Sequence, residues 1–167
     1  MLLKPDIKLD RITDITPALL NKFSVNALLL DVDNTMSTHH GMVLTDGLME
    51  WICSMQKNGI KLCILSNSKK KRVEPFAKKI GLDFISLGLK PLPSGFIRGA
   101  KRVNEKRRNI AIVGDQIFTD TLGGNLSGLK TVLLTPIKPE SSLRFRFKRK
   151  LERVVYKIYK IKRYEGE

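Results

Sequence analysis

The chain has 167 residues, of which 42% are hydrophobic and 28% charged, and 31 basic against 16 acidic residues give it a net charge of +15. This length suits one domain with a core of its own and is too short for two ordinary domains. No apolar run approaches the roughly 20 residues that cross a bilayer, and the start lacks the apolar stretch of a secretory signal, so we expect a cytoplasmic protein.

Predicted strands and helices alternate along most of the chain. Apolar runs typical of buried strands lie at residues 27–30, 62–65, 84–89, 110–113 and 131–134. Helical patterns lie at residues 16–23, 46–58, 69–80, 94–105 and 117–127, with Ser94 as the predicted N-cap of the fourth. This alternation predicts an α/β protein with a parallel sheet that helices cover on both faces.

The first predicted strand, residues 27–30, runs directly into Asp31-Val32-Asp33-Asn34-Thr35. Side chains alternate along a strand, so Asp31 and Asp33 share a face when the chain is extended. Two carboxylates that close repel each other unless a cation bridges them, and Mg²⁺ prefers carboxylate and phosphate oxygens as ligands. The pair therefore predicts metal-assisted phosphate chemistry.

The two acids suit two distinct roles. A carboxylate can attack phosphorus to form an aspartyl-phosphate, while a second acid two residues later protonates the leaving group and then activates water. This pattern predicts Asp31 as the nucleophile and Asp33 as the general acid and base. The competing interpretation is a turn or capping motif, because Asp, Asn and Thr are common where a strand meets a loop.

Three later strands also end in polar residues, which favours the catalytic interpretation. Ser66 follows the second strand and offers a hydroxyl, and Lys90 follows the third and offers an ammonium that suits a phosphoryl group. The fourth strand runs into Gly114, and Asp115 and Asp120 follow it. Because the carboxyl ends of parallel strands meet at one edge of a sheet, we expect these side chains to lie together.

The four segments, which lie within residues 25–136, resemble the four motifs of the haloacid dehalogenase superfamily. Most members of that superfamily are Mg²⁺-dependent phosphatases with a three-layer, Rossmann-like fold. The resemblance implies catalytic Asp31 and Asp33, substrate-binding Thr35, Ser66, Asn67 and Lys90, and metal-binding Asp31, Asp33 and Asp115 supported by Asp120. The second acid, at position 33, favours a phosphatase over a dehalogenase.

A closer resemblance is to the YqeG-type phosphatases, whose relatives include phosphatidylglycerophosphate phosphatases. It rests on the sequence motifs Asp-Val-Asp-Asn-Thr, Ser-Asn-Ser, Lys-Pro and Gly-Asp-Gln-x-x-Thr-Asp. The resemblance implies a phospholipid as one candidate substrate, beside a soluble phosphate ester or a phosphate on a protein or RNA. The alternative to an enzyme is a binding protein that has the same fold and engages RNA or another protein.

The segments between the motifs are short. Residues 36–65 and 67–89 each leave room for little beyond one helix and one strand, whereas many members of the superfamily insert a cap domain in one of these places. We therefore expect an essentially capless, open site, or a lid that a second subunit supplies. The turn at residues 37–41, which contains His39 and His40, is predicted to be an exposed flap. An open site suits a phosphate carried on a large body such as a membrane surface.

The basic charge is concentrated near the end of the chain, where residues 144–163 hold 10 basic residues and one acidic residue. We expect one domain over residues 1–167, with a catalytic core at about 25–136 and a basic extension at about 140–167. Apolar residues recur in the extension at spacings of four and three, which predicts an amphipathic helix: Phe147, Leu151, Val154, Ile158 and Ile161. Such a helix can bind an anionic membrane peripherally, pack on its own domain or on another subunit, or bind RNA.

Overall fold

A computed structural model of the chain describes residues 1–38, 43–138 and 143–165. Its six strands form one parallel sheet in the order β1-β6-β5-β2-β3-β4. The strands are β1 Ile7–Lys8, β2 Ala27–Leu30, β3 Lys61–Leu65, β4 Asp83–Ile85, β5 Ile110–Gly114 and β6 Lys130–Leu133. The helices are α1 Pro17–Lys22, α2 Leu48–Lys57, α3 Lys70–Ile80, α4 Pro93–Val103, α5 Leu122–Ser127 and α6 Leu143–Tyr159. The predicted α/β class and parallel sheet are confirmed.

Successive side chains of a strand point to opposite sides of the sheet, and those of the central strand β2 are buried on both sides. Leu28 and Leu30 belong to one core cluster, which α2 and α3 complete. Ala27 and Leu29 belong to the other cluster, which α4 completes. The continuous apolar run of β2 is thus explained by a layer of helices on each side of the sheet.

The pairing of β2 with its two neighbours brings three strand ends to one place. Leu30 pairs with Ile64 of β3 on one side and with Val113 of β5 on the other. The residues that follow these strands therefore emerge side by side at the carboxyl edge of the sheet. Ligands of open α/β sheets bind at that edge.

Two predicted elements differ from the structure around residue 90. The predicted strand at residues 84–89 stops at Ile85, because Leu87 and Leu89 take left-handed φ values of 48° and 54° that no strand accommodates. The following helix begins at Pro93, and its N-cap is Leu92 without a side-chain hydrogen bond. The predicted N-cap Ser94 is therefore wrong, since proline suits the first helical position and starts the helix earlier.

The segment after β5 begins with a π-helical turn, Ile117–Thr121, before it continues as α5. A sequence pattern of period 3.6 does not distinguish such a turn from an α-helix. Gly124 of α5 allows close packing against the sheet, since a Cβ there would lie 2.4 Å from Ile112 Cγ2. Strand β1, which pairs with β6, lies in the amino-terminal segment that the sequence pattern did not assign to a strand.

The connections near the carboxyl edge are small within the described residues. Between β2 and β3 they contain one helix, α2, and between β3 and β4 they contain one helix, α3. The predicted flap residues His39 and His40 lie outside the described residues. No helix within the described ranges combines the length and apolar composition that crossing a bilayer requires.

The side of helix α6 that packs on the domain is not the side that carries most of the predicted apolar row. Val155 is buried against Ile117 and Leu133, with Tyr156 and Tyr159 beside them. Four of the five residues of the predicted apolar face are exposed, namely Phe147, Leu151, Val154 and Ile158. The fifth, Ile161, follows the helix and packs against the same cluster as Val155. The chain that follows α6 returns to the sheet, where the Tyr164 N–H donates to the carbonyl of Lys8 at 2.7 Å.

Candidate active site

Asp31 and Lys90 form the centre of the site at the carboxyl end of β2. Lys90 Nζ lies 2.8 Å from Asp31 Oδ1 and 2.6 Å from Asp120 Oδ1, and all three side chains are buried. Burial raises the pKa of Asp31 to about 6, although the nearby ammonium of Lys90 acts to lower it. The pKa of Lys90 is itself raised, because the carboxylates of Asp120 and Asp31 outweigh the opposing effect of burial.

A cluster of three carboxylates lies beside this ammonium. Asp31, Asp115 and Asp120 each have an oxygen within 4.8 Å of the others. Burial raises the pKa of Asp115 to about 8, against the effect of Arg149 and together with the charges of Asp31 and Asp120. Asp115 Oδ1 is buried and has no hydrogen-bond partner among the described residues. An unpartnered buried oxygen among like charges fits a hard divalent cation, which would bind carboxylates and relieve their repulsion.

Asp33 lies beside the cluster rather than in it. Its Oδ1 accepts a hydrogen bond from Arg72 Nη2 of α3, and its side chain is 16% exposed. Arg72 also donates to Ser68 Oγ at 2.9 Å. Arg72 thus joins the loop after β2 to the loop after β3 and holds the Asp33 carboxylate at the open side of the site.

The predicted phosphate-binding residues lie around Lys90. Ser66 is buried at the end of β3, and its Oγ accepts a hydrogen bond from the Ser68 N–H at 3.1 Å. Asn67 holds the Lys90 backbone from both sides, because its Nδ2 donates to the Lys90 carbonyl at 3.0 Å and its Oδ1 accepts from the Lys90 N–H at 2.7 Å. Thr35 is buried in the loop after β2, and its hydroxyl has no hydrogen-bond partner in the described part of the chain.

Two glycines are required by the packing of this edge. A Cβ at Gly114 would lie 2.3 Å from Asp120 Cγ, so glycine lets the π-helical turn bring that carboxylate close to β5. A Cβ at Gly95 would lie 2.1 Å from the carbonyl oxygen of Gly88, so glycine lets α4 pack against the loop that carries Lys90. Both contacts fix the positions of charged side chains in the site.

The helix α6 holds the loop after β5 through three charged residues. Arg149 donates to both Asp115 Oδ2 and the Asp115 carbonyl, the latter at 2.8 Å. Glu152 accepts from the Ile117 N–H at 2.9 Å and from Arg149 Nη1 at 2.7 Å. Lys148 adds a hydrogen bond to Gln116 Oε1. The basic extension therefore reaches the acidic cluster directly.

The structure brings most of the predicted site residues together and adds two arginines that the sequence pattern did not single out. Asp31, Lys90, Asp115 and Asp120 come together as predicted, and Asp33 and Ser66 lie next to them. Arg72 belongs to a run of basic residues after Ser66, which was a usable signal. Arg149 is one of many basic residues in the extension, and its partner Asp115 lies 34 residues earlier in the chain, so no sequence pattern distinguished it from the others.

Comparison with known proteins agrees with this geometry. A model of the haloacid dehalogenase-like hydrolases matches residues 17–128. The chain is 34% identical over 158 residues to the Bacillus subtilis (strain 168) protein named "Probable phosphatase YqeG", and the match covers 95% of this chain and 92% of that protein.

Two solved structures are similar in fold. One is an uncharacterized protein from Listeria monocytogenes serotype 4b, with a TM-score of 0.58, 19% identity, and coverage of 71% of this chain and 85% of that one. The other is NagD from Escherichia coli K-12, with a TM-score of 0.57, 13% identity, and coverage of 72% and 91%. At these identities the likeness supports the fold alone.

Proposed function

Because the chain belongs to the haloacid dehalogenase-like hydrolases and is a phosphatase of the YqeG type, we propose that it hydrolyses phosphomonoesters with Mg²⁺ through an aspartyl-phosphate on Asp31. One observation carries this proposal. The Asp31 carboxylate is buried at the strand end, 2.8 Å from the Lys90 ammonium and within a cluster of acids that fits a divalent cation.

In the proposed reaction an oxygen of Asp31 attacks phosphorus, and the bond between phosphorus and the leaving alcohol breaks. Asp33 gives its proton to that alcohol. Asp33 then takes a proton from water, whose oxygen attacks the phosphorus of the aspartyl-phosphate, so phosphate leaves and Asp31 is restored. The Asp33 carboxylate is held by Arg72 beside Asp31, which supports a role at the open side of the site.

Asp31, Asp115 and the backbone carbonyl of Asp33 would hold the Mg²⁺, and the carboxylate cluster adds Asp120 to this set. When bound, the ion supplies positive charge that offsets the charge of the phosphoryl oxygens. Lys90 contributes an ammonium toward the same oxygens.

The remaining polar residues would bind the phosphoryl group or hold other parts of the site in position. Ser66 and Thr35 would offer hydroxyls, one to the phosphoryl group and one to the loop after β2. We propose that Asn67 acts through Lys90, because both polar atoms of its amide bind the Lys90 backbone.

We propose a phospholipid, specifically phosphatidylglycerophosphate, as the substrate of this cytoplasmic enzyme at a membrane surface. The short connections between β2 and β3 and between β3 and β4 support an open site that a bulky substrate can reach. The resemblance to YqeG-type phosphatases supports the lipid class. A soluble phosphate ester, or a phosphate on a protein or RNA partner, is the competing substrate.

Phosphate release by the purified protein tests this proposal. The assay compares phosphatidylglycerophosphate in mixed micelles with a panel of soluble phosphoesters, each with and without Mg²⁺. Preference for the lipid would support the phospholipid substrate. Activity on soluble esters alone would keep the phosphatase and reject the lipid, and equal activity without any divalent ion would reject the metal.

We expect Mg²⁺ to stabilise the protein more at about pH 8 than at about pH 5. The pKa values of Asp31 and Asp115, raised to about 6 and about 8, exceed the value of about 4 for an unfolded aspartate. An acid whose pKa is higher in the folded than in the unfolded chain stabilises the folded protein at pH values below its pKa in the unfolded chain. This stabilisation is lost as the pH rises through the pKa that the acid has in the folded protein. The metal-free protein therefore loses stability over this range, and a bound cation offsets the loss. Melting temperatures with and without Mg²⁺ check this, and equal shifts at both pH values would contradict it.

We expect Arg149→Ala to weaken Mg²⁺ binding by about tenfold or more, because residues that orient a metal ligand have effects of this size. Arg149 binds Asp115 Oδ2 and leaves Oδ1 for the cation. Titration of melting temperature with Mg²⁺ measures the affinity apart from turnover. Arg149→Lys should retain part of the affinity, and the exposed Arg153→Ala on the same helix should retain all of it. Unchanged affinity in Arg149→Ala would reject the positioning role.

A further inference from the structure

The helix α6 exposes a continuous apolar row, which we name the α6 stripe. Its members are exposed by 64%, 44%, 52% and 67%, in the order Phe147, Leu151, Val154 and Ile158. Spacings of four, three and four residues place them on one side of the helix. The other side is fixed to the domain by Val155 and Glu152, so the helix is anchored and still leaves the stripe without cover in the described structure. Exposed apolar residues that lie together in one row, rather than singly, are typical of an interaction site.

A row of basic residues runs beside this stripe, and we name it the α6 basic row. Lys150, Arg153 and Lys157 are exposed and recur at spacings of three and four residues. Lys160 and Lys162, which follow the helix, are exposed as well. An apolar row next to a basic row is typical of a helix that lies in the plane of an anionic membrane interface.

A second apolar feature, which we name the rim leucines, lies in the loop that carries Lys90. Leu87, Leu89 and Leu92 are exposed by 50%, 55% and 58%. Two of them have left-handed φ values, which bulky residues rarely adopt and which persist where the surroundings impose them. The surroundings do so, since the Leu87 N–H donates to the Ser68 carbonyl at 2.9 Å. The loop therefore holds its leucines outward instead of burying them.

Both apolar features are carried by segments that also contact the acidic cluster through another side chain. Leu89 directly precedes Lys90, whose ammonium contacts Asp31. Phe147 and Leu151 flank Arg149 in the sequence, and the guanidinium of Arg149 contacts Asp115. The loop of the rim leucines follows β4 and α6 contacts the loop after β5, so both features belong to elements at the carboxyl edge of the sheet, where the acidic cluster lies.

We propose that the α6 stripe, the α6 basic row and the rim leucines form one docking surface for an anionic lipid bilayer. The proposal rests on the proposed phosphatase function and deepens it by naming the surface that presents the phosphate. The apolar rows enter the interface while the basic row pairs with anionic headgroups. A second copy of this chain would bring like charges together, and RNA would engage the basic row but leave the apolar rows in water.

Vesicle cosedimentation at low salt tests the proposal, with vesicles of phosphatidylcholine containing phosphatidylglycerol. We expect Lys150→Gln/Arg153→Gln/Lys157→Gln to weaken binding by about 100-fold. We expect Phe147→Ser/Val154→Ser and Leu89→Ser/Leu92→Ser each to weaken it by about tenfold. All three variants should still hydrolyse a soluble phosphoester, which separates the docking surface from the catalytic proposal.

Matched controls are needed because a protein of net charge +15 attracts anionic vesicles from any side. Lys101→Gln/Lys106→Gln/Arg108→Gln removes the same charge from the end of α4 and the segment before β5, at the opposite edge of the sheet. Leu2→Ser/Leu126→Ser removes apolar residues of similar exposure, 50% and 48%, next to Asn125. Each control should change vesicle binding by less than about threefold.

Vesicle binding that falls in the three surface variants and survives in both controls supports the docking surface, even if no phosphoester is hydrolysed. The proposal is overturned if the unaltered protein binds no anionic vesicles, or if the controls lose as much binding as the surface variants. It is also overturned if the α6 stripe variant instead abolishes a dimer or RNA binding while vesicle binding stays intact.

Discussion

Asp31→Asn should lower phosphate release by at least about 1,000-fold, because an amide cannot attack phosphorus as a carboxylate does. The folded protein should survive this change. Asparagine has the same shape as aspartate, and the Lys90 ammonium retains its contact with Asp120 at 2.6 Å. Removing one of three clustered negative charges also reduces their repulsion. Phosphate release, circular dichroism and the melting temperature together measure both parts of this expectation.

Asp31→Asn is compared with Asp33→Asn, a second variant of the site, and with Asp83→Asn, a control outside the site. Asp33→Asn should slow both steps, because the leaving alcohol loses its proton donor and water loses its base. Asp83 lies at the start of β4, exposed and paired with Arg102, so Asp83→Asn should keep full activity. An Asp31→Asn protein that retains more than about a tenth of the activity would reject Asp31 as the nucleophile.

Lys90→Met should abolish most activity and also destabilise the protein by about 3 kcal/mol or more, which is typical when one partner of a buried ion pair is removed. Lys90 lies between Asp31 and Asp120, and its side chain is 2% exposed. Methionine keeps the apolar stem of lysine and removes only the charged end, so the change isolates the ammonium. Without it the two carboxylates face each other in a buried site.

The stability deficit of Lys90→Met should depend on pH. The Lys90 ammonium acts to lower the pKa of Asp31, which burial raises to about 6, so loss of the ammonium raises this pKa further above that of an unfolded aspartate. Such an acid favours the folded state below the unfolded pKa, and that contribution is lost as the pH rises. The deficit should therefore be larger at about pH 8 than at about pH 5 in urea unfolding.

Two further variants make this expectation specific to the buried pair. Adding Asp120→Asn to Lys90→Met should recover part of the stability, because it removes one of the unpaired charges. Lys101→Met, on an exposed part of α4, should change little. A deficit in Lys90→Met that is equal at both pH values would contradict a role for the ammonium in holding these carboxylates.

Two residues of the acidic cluster could be predicted from the sequence because each directly follows an apolar strand. Asp31 follows β2 and Asp115 follows β5, and parallel strands bring their carboxyl ends together. The loop after β4 could not be predicted in this way. Its apolar residues continue the pattern of a strand, and only the left-handed Leu87 and Leu89 take the chain out of the sheet.

The extension shows a different limit of sequence patterns. Period 3.6 predicts a helix but does not say which face packs on the domain. The face that meets the loop after β5 carries Arg149 and Glu152, whose ion pair and hydrogen bonds add to the apolar packing of Val155 on Ile117. Contacts between charged groups so far apart in the sequence leave no periodic signal, so the sequence predicted the α6 stripe but left open whether it packs on the domain or is exposed.

Trapping the covalent intermediate tests the central claim most directly. The protein would be mixed with Mg²⁺ and a reactive soluble phosphoester, quenched in acid within its first turnovers, digested and examined by mass spectrometry. We expect the mass of one phosphoryl group on the peptide that contains Asp31, more of it in Asp33→Asn, and none in Asp31→Asn. A modified group elsewhere, or rapid turnover in which no phosphorylated peptide forms, would contradict an aspartyl-phosphate on Asp31.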